Sequence, residues 1–138
     1  MGRVINFEGV GKDRRVLTRA VVLALRELML QTEPNKHTRD LAAFISMALE
    51  QISRTIDESV SAWEKRGYWI KADRFRMEWA WSERLGKAMR NALLNEDWPQ
   101  VAAAAAEMGV KLNSIKLPQR HRLGTPWEGA WDKLRAKN

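Results

Sequence analysis

No cysteine occurs in the 138 residues. That excludes a disulfide framework, thiolate metal ligation and a cysteine nucleophile, and it makes a cytoplasmic setting the expectation. Histidine is nearly as scarce, with His37 and His121 the only two. Neither follows a Glu by three residues, so the Glu-x-x-His pattern of carboxylate-rich metal bundles is missing and no metal site is expected. There is no Gly-x-Ser-x-Gly nucleophile elbow. Gly9-Val10-Gly11-Lys12 is a fragment of a phosphate loop without its second half or a preceding strand. The residues therefore point to a non-enzymatic protein without a cofactor.

Long apolar runs are absent too. The longest, Ala20–Leu25 and Val101–Ala106, have six residues each, against about 20 for a membrane span. The opening MGRVINFEGVGKDRR has no apolar signal region. Neither membrane insertion nor secretion is expected.

What is present is charge, tryptophan and helical period. The net charge of +7 is uneven. Residues 1–37 hold seven Lys/Arg against four Asp/Glu, residues 38–109 ten against eleven, and residues 110–138 seven against two. The ends are basic and the middle is balanced. Seven tryptophans are well above the usual share, and large indoles read first as core or interface.

The pattern predicts an all-α fold: an elongated up-down four-helix bundle with a long central αα-hairpin and a C-terminal strap ending in a short amphipathic helix. Residues 1–138 are expected to form one helical-bundle domain, with 1–12 an irregular arm and 110–138 the basic strap and short helix. Asp13 is placed to cap a first helix over 14–31, whose stripe is Leu17, Val21, Ala24 and Leu28. Pro34 ends that segment. A second helix is expected from about Thr38, with Leu41, Ile45, Ala48, Ile52, Ile56, Val60 and Trp63 alternating threes and fours. Lys65-Arg66-Gly67 is a helix stop, which makes residues 38–95 a hairpin rather than one rod.

The third helix, 68–95, carries Ala72, Phe75, Trp79, Ser82, Gly86, Met89 and Leu93 on one face. A second stripe, Trp81, Leu85, Ala88 and Ala92, needs another partner. Asp97-Trp98-Pro99-Gln100 starts a fourth helix that Gly109 should stop after Met108. Thr125-Pro126-Trp127-Glu128 repeats the start signal for a helix at 126–136.

Helices of these lengths would leave the hairpin tip around Gly67 projecting roughly 15 Å beyond its neighbours at ~1.5 Å per residue. Trp63, Tyr68 and Trp69 would form an apolar patch there. The expected covers are the strap, through Trp127 and Trp131, and a second subunit on a two-fold axis. Trp63, Tyr68, Trp69 and Trp81 are accordingly the candidate protein-contact residues. The leading expectation is a bundle acting through protein–protein contact, as a homodimer or with another protein partner. The alternative is a small nucleic-acid binder using the basic strap, with Lys116, Arg120, His121 and Arg122 on phosphate.

Overall fold

The computed structural model describes residues 14–137. The arm at 1–12 and the Asp13 cap lie outside the described residues. Five helices follow in order: α1 (Arg14–Met29), α2 (Lys36–Lys65), α3 (Trp69–Leu94), α4 (Trp98–Lys111) and α5 (Ala130–Lys137). The fold is all-α. Among the described residues no helix is long and apolar enough to cross a membrane.

The helix ends follow from local chemistry. Asn35 caps α2 by accepting the Thr38 backbone N–H at 3.0 Å, so α2 begins two residues earlier than expected. Its C-terminus is a Schellman turn. Gly67 sits at φ +82°, its N–H reaches the Glu64 carbonyl at 3.0 Å, and the Tyr68 N–H reaches the Trp63 carbonyl at 2.9 Å. The chain therefore reverses at Gly67. α3 ends in the same motif, but with Glu96 in the left-handed position at φ 53°. Asp97 then caps α4, accepting from the Gln100 N–H at 3.3 Å.

The first four helices run antiparallel in succession. Arg39 of α2 pairs with Glu96 just past the end of α3, and Arg76 near the start of α3 pairs with Glu64 near the end of α2. α4 packs back along α3, joined by an Arg84–Glu107 ion pair, and touches α1 to close the ring. α2 is the central element, with α1, α3 and α5 all against it. That is why Leu41 to Leu49 are buried on every side of the helix. Gly86 permits a close approach of α2 and α3: a Cβ there would lie 3.3 Å from the Ser46 carbonyl oxygen and 3.2 Å from Leu49 Cβ.

Three expectations need correction. α4 runs through Gly109 to Lys111, because the glycine keeps a helical backbone instead of turning left-handed. The last helix starts at Ala130 rather than 126, because Gly129 adopts φ +77° and interrupts the turn that precedes it. The strap does not cover the hairpin tip. It passes the start of α1 at Ser114–Lys116 and then doubles back. Its end docks beside the first turns of α2, where Asp40 accepts the backbone N–H groups of Trp131 at 2.9 Å and Gly129 at 3.4 Å. Trp127 is buried there, edge-on to His37 at 6.4 Å, and Leu134 is fully buried. Asp40 and Trp63 are about 35 Å apart along α2 by helix rise, so Trp127 and Trp131 serve the opposite end of the molecule.

Candidate functional site

Two surfaces stand out. The first is the hairpin tip. The Schellman turn at Gly67 places Tyr68 and Trp69 at the apex, where they are 54% and 60% exposed, with Ile70 beside them at 73%. Trp63 lies beneath them and is half-buried. Its ring meets Phe75 edge-on at 4.9 Å, and Lys71 Nζ stands 4.6 Å from its centroid. Trp63 is thus partly covered by its own hairpin, contrary to a tip of three bare aromatics. Trp81 is not at the tip. It lies twelve positions beyond Trp69, about 18 Å along α3, half-buried and stacked on Trp79 at 5.7 Å.

Ile70, Met77 and Trp81 nevertheless share one narrow face of α3, at spacings of seven and four. Met77 is 78% exposed. The sequence reading missed Ile70 and Met77 because neither falls on the two apolar stripes assigned to this helix, and Met77 stands between Arg76 and Glu78. The seven-residue spacing was the available signal. The second stripe of α3 finds its partner only in part. Where α4 runs alongside, Leu85 and Ala92 are buried, but Ile70 and Met77 lie on the stretch toward the tip and remain bare.

The second surface is a groove of about 590 Å³ between the start of α1 and the strap. Arg14, Arg15, Arg19 and Lys116 line it together with Thr55, Ser114 and the ring of Trp79, and no carboxylate among the described residues does. Arg14 is held in place by α2. Its Nε donates to Thr55 Oγ1 at 3.1 Å, and its Nη2 donates to the Thr55 carbonyl at 3.3 Å and Ser59 Oγ at 2.9 Å. Its guanidinium carbon lies 4.9 Å from the Phe75 ring centroid. Partial burial holds its pKa below that of a free arginine, although it stays a cation.

Of the strap residues expected to meet phosphate, Lys116 alone belongs to this groove. Arg120 and Arg122 are exposed further along. His121 accepts the Leu123 N–H on Nδ1 at 3.2 Å, which uses that nitrogen to shape the strap. The α1 arginines were read as a polar strip and their convergence was missed. The signal was a run from Arg14 to Arg26 with four arginines and no acid.

A smaller apolar depression of about 360 Å³ opens at the other end, between Met29, Pro34, Trp98 and Val101. Among the described residues no group of three or more His, Asp or Glu side chains could hold a metal ion. The chain matches no protein-family model, no curated protein and no solved structure.

Proposed function

We propose that this chain is a non-enzymatic helical bundle that acts through protein–protein contact, pairing with a second copy of itself along the tip half of α3. The exposure of Tyr68, Trp69 and Ile70 on one projecting apex carries this reading. Large aromatics each offer about 150–250 Å², so three side chains more than half bare leave roughly 300 Å² of apolar surface by that measure. A stable interface takes about 800 Å² from each partner. The apex alone is too small, so the contact must also take in Met77, Trp81 and the polar side chains that flank them on α3.

A second copy fits this stripe because its edge is self-complementary. Arg74 and Glu78 are one turn apart, exposed, and outside the bundle's internal ion pairs. An antiparallel α3 from another molecule would set each Arg74 against the other's Glu78 on a two-fold axis. The contact would continue the packing that α4 makes further along the same face.

Light scattering on the purified chain tests this. A dimer is expected, and Trp69→Asp combined with Met77→Asp should give a monomer with an unchanged helical circular dichroism spectrum. A wild-type chain that stays monomeric at every concentration it tolerates would refute the pairing.

A further inference from the structure

We propose that the groove between the start of α1 and the strap binds an organic di- or triphosphate, with the phosphates on Arg14, Arg15, Arg19 and Lys116 and the attached ring against Trp79. This site is independent of the tip and stands whether or not the chain pairs with itself.

Charge makes the case first. Elsewhere some cations have carboxylates at ion-pair distance, as Arg39, Arg76, Arg84 and Arg90 do. Those without one among the described residues, such as Arg54, Lys65 and Arg120, do not gather in one concavity as the groove cations do. None of the four groove cations has such a partner among the described residues. Four like charges converging on one concavity repel each other, and an anion between them removes that cost. A phosphate monoester brings at most about two negative charges, which leaves half of the cations unmatched. A chain of two or three phosphates matches them.

Preorganisation makes it second. Arg14 spends Nε and Nη2 on Thr55 and Ser59, so its guanidinium plane is fixed before any ligand arrives. Its Nη1 has no hydrogen-bond partner among the described residues, and no buried side-chain nitrogen there lacks one, so Nη1 remains reachable from solvent. A fixed guanidinium with one free edge suits phosphate oxygens better than a mobile lysine would.

Shape makes it third. The volume of about 590 Å³ falls within the ~300–1,000 Å³ of small-molecule sites. Trp79 supplies the one aromatic wall among the described residues, and its stacking on Trp81 fixes the ring's orientation. Bases stack on such platforms irrespective of their identity.

Isothermal titration calorimetry on the full chain, without divalent cations and at fixed ionic strength, tests the site with three probes. ATP and inorganic tripolyphosphate should each bind once per chain, ATP several-fold tighter, and adenosine should give no heat. Arg15→Gln combined with Arg19→Gln should weaken ATP by at least about tenfold, as expected for lost charge-assisted bonds. These two side chains make no hydrogen bond or ion pair that holds the described fold, so the variant should melt like the wild type. Arg120→Gln combined with Arg122→Gln removes equal charge outside the groove and should leave ATP affinity within twofold. Absence of ATP binding, or equal weakening by the two double variants, overturns the site. ATP binding no tighter than tripolyphosphate overturns the role of Trp79.

Discussion

Asp40 caps a helix that begins ninety residues later in the chain: its carboxylate accepts the backbone N–H of Trp131 at 2.9 Å, across a sequence separation of 91. A second oxygen takes the Gly129 N–H at 3.4 Å. The first N–H groups of a helix have no partner inside it, and Gly129 breaks the turn that would have supplied a local cap. Asp40 is itself buried, so charge and orphan donors satisfy one another.

Asp40→Ala should therefore destabilise the fold by about 1–3 kcal/mol, the cost of leaving buried donors unpaired. Asp40→Asn keeps one acceptor oxygen but sets an amide against the other N–H, so it should lose less. Chemical denaturation of the three proteins checks the order. An Asp40→Ala variant that unfolds with the wild type would show that α5 docks without this cap.

Removing residues 112–138 should lower the melting temperature even though the strap leaves the tip alone. The segment buries Leu112, Leu123, Trp127 and Leu134, and truncating large core side chains costs about 2–5 kcal/mol each. The loss exceeds what one shielding contact would give, and more than ~10 °C is expected on that scale. Calorimetry on the truncated chain checks it; an unchanged transition would mean the strap is not part of the cooperative unit.

Much of this architecture was legible before any coordinates. The reversal at Gly67 needed only basic residues and a glycine, all adjacent, and the three–four pattern on either side. The Asp97 start of α4 was equally local. What could not be read was whatever depended on distant residues. The direction of the strap is set by Asp40, which looks in sequence like one more acid on a helix. The 126 start failed because Thr125-Pro126 is a good local signal and Gly129 overrides it with a left-handed backbone. The tip aromatics were visible as a group, and the place of Trp63 and Phe75 on the stripes of the two hairpin helices already implied their contact, which the count of three bare aromatics overlooked. The groove was invisible because Arg14, Arg15 and Arg19 meet Lys116 only after α4 and the strap have returned the chain to α1.

The Arg90–Glu50 pair joins α2 to α3 at 3.1 Å with side chains only 25% and 18% exposed. It should couple more strongly than the exposed i,i+4 pair Lys87–Glu83. A double-mutant cycle on Arg90 and Glu50 is expected to give about 1 kcal/mol, the upper end for partly screened pairs. Raising salt to 1 M should weaken it little. A coupling near zero would place this pair with ordinary surface contacts.

Two glycines inside helices make opposite predictions from the same substitution chemistry. At Gly109 an added Cβ meets nothing within 4 Å. The backbone is already helical, so Gly109→Ala gains helix propensity with no steric cost, worth up to about 1 kcal/mol. At Gly86 an added Cβ would press on Ser46 O at 3.3 Å, which is backbone, and on Leu49 Cβ at 3.2 Å. Neither atom is the far end of a flexible side chain, so α2 and α3 must part slightly. Gly86→Ala should then gain little or nothing, its propensity offset by the separation. Gly86→Val adds two methyls to that contact and should destabilise by about 1–3 kcal/mol, the usual cost of overpacking. Thermal melts of the three variants decide it. If Gly86→Val is tolerated as well as Gly109→Ala, the close crossing of α2 and α3 at Ser46 does not hold in solution.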